Sequence, residues 1–296
     1  MNTAQFADNL DPAFRKIFHD TEKQWPSVME RIFNVESSSL HAEKMSANSG
    51  LGLTPVKTEG TATTLDTRVQ LYDKTFTHVA YGVGVEITRE MMDDDLSGSM
   101  KATPQAMSIS GKQTIETLAA NHFNRHVTGA YTGPDGKVLC ATDHPAYGSA
   151  SQSNLGTAGS LTHSTLAAGR LAMKKMKNHR GLFQRVDPKI LLVPPDLEEK
   201  AQIIVNTDRK SGSANWDVNI FNGSGIEIVV WNFITVTTAY WLIGDKAQHQ
   251  MYWFWRTKPE FNRDRGVSEQ IAKWYTYFRC ISGHVDWRGI WGNNGA

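Results

Sequence analysis

The sequence has few cysteines and almost no net charge, and each shortage excludes a class of protein. Cys140 and Cys280 are the only cysteines, and their wide separation supports neither a disulfide framework nor a zinc ribbon. We therefore expect reduced thiols in a protein made in the cytosol. Lys and Arg number 31 and Asp and Glu number 30, so the net charge of the 296 residues is +1. A dedicated nucleic-acid binder would instead carry a clustered cationic face.

Long apolar runs are also missing. The most apolar window, 226–244, contains Glu227 and Asn232 and is dense in β-branched residues, which predicts two buried strands and not a membrane span. The N-terminal residues lack the apolar core of a signal peptide. With 40% apolar and 21% charged residues, the chain does not have the composition of a disordered protein. We expect a soluble protein that is not secreted and contacts no membrane.

Motifs for nucleotide binding are absent. No GxxxxGK[ST] sequence occurs, and the two glycines of Tyr81–Glu86 lie in a predicted strand instead of opening a helix. The glycines of Asn222–Gly225 precede a strand, which is the wrong order for a phosphate-binding loop. We predict no phosphate site.

Four residues have the side chains of a zinc site. His122 and His126 lie four apart on a predicted helix and therefore share a face, and Cys140 and His144 follow. Zinc accepts this ligand set. The glutamate of an HExxH motif is missing, so surface or interface histidines are the simpler interpretation. A metal-dependent hydrolase that uses these residues remains an alternative.

Other polar groups also favour structural roles. Asp143 and His144 precede Ser149 and Ser151, but without a GxSxG motif they predict a hydrogen-bonded turn and not a catalytic triad. Asp93–Asp95 lack the spacing of a calcium loop and predict a solvated helix start. The sequence therefore predicts no catalytic, cofactor-binding or metal site.

Apolar periodicity predicts three helices. An amphipathic helix over 12–33 is interrupted at Pro26, because proline breaks a helix interior. Thr103 and Pro104 suit the cap and first turn of the longest helix, predicted over 104–127. A third helix is predicted over 164–179.

Strand patterns surround these helices. Residues 34–66 are rich in Ser, Thr and Gly and predict an extended arm, and 67–88 alternate with period two and predict a long two-stranded excursion. Because an isolated two-stranded ribbon is marginal in water, this excursion needs a partner. The later residues predict a mixed α+β half with a mostly antiparallel sheet: a helix that begins at Pro195, and strands at 190–193, 226–232, 239–244, 250–257, 274–281 and 285–290.

The run Met251–Arg256 places large apolar side chains on both faces of one strand. Tyr252 and Phe254 alternate with Trp253 and Trp255. A stacking platform for bases would need basic residues nearby, and few occur. The pattern favours a strand covered on one face by the core and on the other by a neighbouring subunit.

Several segments, in order, resemble the major capsid proteins of tailed bacteriophages and are most similar to Mu-like prophage major head subunits. The resemblance covers residues 50–291. In Cys140–Thr142 the chain departs from the Phe-rich stretch of that family, and Asn154 comes well after His144 instead of next to it. The resembling segments, together with the long helix, are ITREMMDDDLSGSM, DGKVLCATDHP, KILLVPPDLEEKA, GIEIVVWNFI, AYWLIGD, RTKPEF and WRGIWG.

The resemblance implies the α+β Hong Kong 97-type capsid fold. Some relatives crosslink a loop lysine to an asparagine of another subunit; Lys57 and Lys74 lie in the corresponding region, and no role is assigned to them. Because no long charged, coiled-coil-like segment precedes the arm, we expect no fused scaffold domain. The implied parts are an N-terminal arm (1–51), an extended loop or E-loop on an adjacent subunit (52–88), a peripheral domain with the spine helix (89–187), an axial domain (188–250) and strands that return to the peripheral domain (251–296).

The implied function is structural. We expect a virion protein, made in the host cytoplasm and not an enzyme, whose copies form the pentamers and hexamers of an icosahedral head around double-stranded DNA. Its expected partners are other copies of itself, a separate scaffolding protein, a portal, decoration proteins and, through weak nonspecific contacts, the packaged DNA. An encapsulin-like shell that encloses cargo enzymes is an alternative with the same fold.

Overall fold

The computed structural model describes residues 3–88, 91, 94, 102–210, 217–266 and 271–296, with backbone only for 3–11, 265–266 and 271. The helices are α1 (Thr3–Gln24), α2 (Met29–Ile32), α3 (Ala102–Asn124), α4 (His163–Lys174) and α5 (Glu198–Asn206), the last preceded by a 3₁₀ turn at Pro195–Leu197. The strands are β1 (Asn34–Ser37), β2 (Ala42–Asn48), β3 (Gln70–Thr77), β4 (Val79–Thr88), β5 (His144–Ala146), β6 (Ser149–Gln152), β7 (Pro188–Val193), β8 (Glu227–Val230), β9 (Tyr240–Gly244), β10 (Met251–Gly266), β11 (Ile271–His284) and β12 (Ile290–Asn293).

The first sheet contains the two longest strands. Its order is β1-β10-β11-β4, with β1 parallel to β10 and the other pairs antiparallel. β10 and β11 span 16 and 14 residues, well beyond the predicted 250–257 and 274–281. The register shifts between Thr257 and Glu260, where Pro259 has no N–H to donate to the ladder.

The second sheet has the order β12-β9-β7-β8 and is antiparallel except for the β7–β8 pair. This confirms the mostly antiparallel sheet predicted for the second half. The last strand, predicted over 285–290, is β12, and it pairs with β9 so that Trp291 lies opposite Leu242. The alternation of apolar residues in this segment does not distinguish the two sheets, because both sheets bury apolar strands.

Helix α3 packs between the two sheets. Ile115, Ala119 and Phe123 repeat at helical spacing and are buried, and the Phe123 ring centroid lies 5.5 Å from that of Trp241. The 23 residues of α3 span about 35 Å at 1.5 Å per residue. The long helix predicted over 104–127 is confirmed. It begins at Ala102, however, so Thr103 lies inside the helix and does not cap it.

The first predicted helix is divided in the structure as its proline requires. α1 ends at Gln24, just before Pro26, and α2 begins at Met29. α1 starts at Thr3 and contains Pro12, so it extends nine residues beyond the predicted start at residue 12. No helix in the described part of the chain combines the length and apolar composition needed to cross a bilayer.

The predicted pairing of two strands within 67–88 is wrong. β3 pairs antiparallel with β2, which lies in the segment predicted as an extended arm, and β4 pairs with β11 of the first sheet. Only His78 separates β3 from β4, and one residue is too short for a hairpin turn. The projecting hairpin is therefore β2–β3, and residues 49–69 connect its two strands.

Candidate assembly surfaces

The end of the β2–β3 hairpin where Ala42–Met45 pair with Lys74–Thr77 is here called the hairpin base. It packs on the chain's own first sheet. Phe76 of β3 is 3% exposed, and its ring centroid lies 5.9 Å from that of Phe254. Tyr252 and Met45 pack in the same cluster. Gly283 makes room for this contact, since a Cβ there would lie 2.2 Å from a Phe76 ring carbon. The expectation that a neighbouring subunit covers this face of the aromatic run is wrong, because the hairpin of the same chain covers it.

The end of the hairpin, residues 50–68, is here called the hairpin tip. It has no regular secondary structure and exposes four apolar side chains: Leu51 by 54%, Leu53 by 79%, Leu65 by 92% and Val56 by 97%. Single exposed apolar residues are ordinary on protein surfaces, but four in one short segment are typical of an interaction surface.

The two ends of the hairpin tip, at Gly52 and at Asp66–Thr67, are here called its neck. The neck is fixed to the body of the chain. Asp66 accepts a hydrogen bond of 2.7 Å from the Gly52 backbone N–H and pairs with Arg180 at 3.2 Å. The Gly52 hydrogen bond is the main cause that lowers the pKa of the Asp66 carboxyl. Arg180 also donates to the Thr67 carbonyl at 2.6 Å. The tip therefore extends from an anchored neck.

A cavity of about 390 Å³ lies beneath the hairpin base and is here called the hairpin-base cavity. It is bordered by β3, α3, β11 and the loop that contains Tyr131 and Thr132. Lys74 donates a 3.3 Å hydrogen bond to the Thr132 carbonyl, and the Arg125 guanidinium lies 4.2 Å from the centroid of the Tyr131 ring. The wall is mostly apolar: Phe76, Tyr81, Leu118, Leu139 and Trp253.

Two histidines of this cavity are uncharged at neutral pH. Burial lowers the pKa of His122 to about 4 and that of His284 to about 3, and the nearby charge of Lys74 acts in the same direction. His122 Nε2 lies 2.9 Å from Ser282 Oγ. The positive charge of the cavity at neutral pH therefore comes from Lys74 and Arg125.

The predicted hydrogen-bonded turn at His144 is present with a different carboxylate. His144 Nδ1 lies 2.6 Å from Asp135 Oδ2, and the imidazole stacks on Trp287 with the ring centroids 4.4 Å apart. Asp143 pairs instead with Lys137. The two His144 nitrogens contact Asp135 and Asn154, so the structure does not bring His144 together with Ser149 or Ser151 as a triad.

Asn154 completes this cluster, although the sequence pattern does not mark it as a structural residue. Its Oδ1 lies 3.0 Å from His144 Nε2, and its Nδ2 donates to the carbonyls of Leu139 and Ile290 at 2.8 and 3.1 Å. The family resemblance carries a signal for it, because it implies an Asn next to this His. Here the β5–β6 hairpin brings an Asn ten positions later to the same histidine.

The four candidate zinc ligands, His122, His126, Cys140 and His144, are not arranged as a metal site. His126 Nδ1 lies 2.7 Å from the Phe123 carbonyl, and burial raises the pKa of the Cys140 thiol, which disfavours the thiolate that a metal needs. Among the described residues, no three His, Cys, Asp or Glu side chains are placed to hold a metal ion. Of the acidic run, Asp93 and Asp95 lie outside the described residues, and Asp94 is exposed.

Comparison with known proteins finds similarity to phage capsids. The sequence matches a family model described as "Phage capsid protein" over residues 72–293, three quarters of the chain. Comparison with curated proteins finds no match.

Three solved phage structures are similar in fold. A structure titled procapsid of bacteriophage JBD30 has 15% identity and a TM-score of 0.54, covering 99% of this chain and 76% of that one. A structure from Microbacterium phage Oxtober96 has 12% identity and a TM-score of 0.57, covering 92% of both chains. The capsid structure of cyanophage P-SCSP1u has 14% identity and a TM-score of 0.56, covering 92% of this chain and 88% of that one.

These matches confirm the Hong Kong 97-type capsid fold, and they do not favour the encapsulin-like or hydrolase alternatives. The placement in the Mu-like branch stays a prediction. The family match includes α3, the second sheet and the strands β4, β10 and β11 of the first sheet. The chain therefore belongs to the phage capsid protein family, and its role is that of a major capsid protein in the shell of a virion.

Proposed function

We propose that this chain assembles through pentamers and hexamers into the closed icosahedral head of a tailed phage and encloses double-stranded DNA. The observation that carries the proposal is the hairpin tip, where Leu53, Val56 and Leu65 are 79–97% exposed. Burying such a side chain contributes about 1.5–3 kcal/mol before the cost of association. The isolated chain thus leaves apolar surface uncovered that a second copy can cover.

In this proposal each part of the fold has a place in the shell. The β2–β3 hairpin with its tip serves as the E-loop and lies on the adjacent subunit, and residues 3–33 form the N-terminal arm. The first sheet and α3 form the peripheral domain. The second sheet, with α4 and α5, forms the axial domain at the ring centres. Each contact is modest, and repetition around a closed ring makes the assembly stable.

The partners follow from the same proposal. A separate scaffolding protein, a portal and decoration proteins act on the shell, and the chain has no enzymatic role. A net charge of +1 supports weak, nonspecific contact with packaged DNA, since strong binding needs many cationic contacts.

Expression of the full chain with and without its upstream genes tests the proposal. We expect capsomers and shells in gel filtration and negative-stain microscopy. A protein that stays monomeric over a wide range of concentration and salt, with the scaffold supplied, would contradict it.

A matched pair of variants assigns the effect to the tip. Leu53→Asp with Val56→Asp should abolish assembly and leave the fold intact, because both side chains are exposed. Thr63→Asp adds charge to the same tip, where Thr63 is exposed, without removing apolar surface, and should assemble. Equal assembly by both variants would show that the tip makes no essential contact.

A further inference from the structure

The hairpin-base cavity holds two cations without a carboxylate partner in the described part of the chain. Lys74 is bonded to the Thr132 carbonyl, and Arg125 lies against the Tyr131 ring. Both cations are half-buried, and no Asp or Glu lines the cavity. Cations in a partly desolvated, mostly apolar cavity are poorly screened and favour an anion.

The hairpin tip contains two acids, Glu59 and Asp66, and two bases, Lys57 and Arg68. Glu59 is exposed and forms no hydrogen bond or ion pair with any described residue, whereas Asp66, the other acid of the tip, is held by Arg180. Val56, three residues before Glu59, is 97% exposed. The tip therefore offers an exposed apolar side chain and an exposed carboxylate three residues apart in sequence, and these two groups suit a mostly apolar cavity with two cations.

A chain cannot fill its own cavity with its own tip. Lys74 lies in β3 on the side of the hairpin that joins the body, and the tip leaves the other end of β2 and β3. The Arg180 contacts to Asp66 and Thr67 also fix the neck of the tip and oppose its folding back. The complementary groups therefore meet only between two copies.

Building on the proposed function, we propose that the hairpin-base cavity of one subunit receives the hairpin tip of an adjacent copy. The Glu59 carboxylate lies between Lys74 and Arg125 and accepts charge-assisted hydrogen bonds from both. Val56 of the same tip packs on the apolar wall at Phe76 and Leu118. Each subunit donates a tip and receives one, so the interface is heterologous and closes when the copies form a ring.

Charge reversal in the full-length protein tests this pairing. We compare Lys74→Glu, Glu59→Lys and the combined variant by the concentration at which half the protein is assembled. Each single change should raise that concentration about tenfold, and the combined variant should return it to within about threefold of wild type, because the reversed pair attracts again. Lys57→Glu, which reverses a tip charge outside the proposed pair, should assemble like wild type.

Urea unfolding of the unassembled subunits separates assembly from folding. Arg125→Gln, which keeps hydrogen-bonding capacity without charge, is the second cavity variant and should also weaken assembly about tenfold with an unchanged unfolding midpoint. Single variants that assemble like wild type, or a combined variant no better than the singles, would overturn the pairing and leave the proposed function intact. A wild-type chain that never assembles would overturn the proposed function itself.

Discussion

Acidification should destabilise the isolated subunit because three buried histidines are kept neutral. Burial lowers the pKa of His122 and His249 to about 4 and that of His284 to about 3, whereas an unfolded histidine has a pKa of about 6.5. Below pH 6.5 the unfolded chain binds protons that the folded chain does not. Stability is therefore complete above pH 6.5 and falls as the pH decreases toward the folded pKa values.

The size of the effect follows from these pKa values. Between pH 7.5 and pH 5 each histidine removes at most about 2 kcal/mol, so the three together remove up to about 6 kcal/mol. His122 and His284 both border the hairpin-base cavity, and access of water to it makes their shares smaller than that of His249. Because native domains are stable by about 5–15 kcal/mol, a loss of this size leaves little stability at pH 5. Burial raises the pKa of Glu116, which acts in the opposite direction.

Urea unfolding of dilute, unassembled subunit, followed by tryptophan fluorescence at several pH values, measures the loss. His284→Gln should make the loss smaller by up to about 2 kcal/mol, since the glutamine does not titrate. His41→Gln is the matched control, because His41 is exposed, and its pH dependence should follow wild type. A free energy of unfolding at pH 5 within about 1 kcal/mol of the value at pH 7.5 would refute the reasoning.

Substitutions of three further residues, Phe76, Asn154 and Glu116, test the packing. Phe76→Ala should lower the free energy of unfolding, measured in urea, by about 3–5 kcal/mol, because it removes the contact with Phe254 and Gly283. It should also speed proteolysis of the tip, and an unchanged rate of proteolysis would contradict this role. Asn154→Ala should cost about 2–4 kcal/mol in thermal unfolding by leaving two buried carbonyls unpaired, whereas the exposed neighbour Ser153→Ala should cost almost nothing. Glu116→Gln should stay within about 1 kcal/mol of wild type because it still accepts from Trp231, and Glu116→Ala should lose about 2–4 kcal/mol; equal losses would contradict this role.

The sequence predicted those elements whose signal is local. Helix α3 follows from its apolar spacing, strand β7 follows from an apolar run between Pro188 and Pro194, and the break between α1 and α2 follows from Pro26. Strand pairing is not local. The same period-two pattern over 70–88 suits a hairpin within itself or two strands with separate partners, and only packing of Phe76 against the first sheet decides between them.

The candidate surfaces are harder to predict from the sequence. The hairpin-base cavity joins Lys74, Arg125 and His284 from distant parts of the chain, so no spacing marks it. For His144 the neighbouring Asp143 was the obvious partner by sequence, but the turn at Gly133 to Gly136 directs Asp135 to it instead. Hydrogen bonding of a buried imidazole was predictable, whereas the identity of its acceptor required the fold.

The anchored hairpin base changes the thermodynamics of joining subunits. Its strands β2 and β3, of 7 and 8 residues, are paired when the chain folds, and fixing a backbone residue costs roughly 1–2 kcal/mol. This part of the entropy is lost before two copies meet, so docking does not require the hairpin base to become ordered. Each contact between two subunits can then remain weak and reversible, and a misplaced copy can dissociate before the shell closes around it.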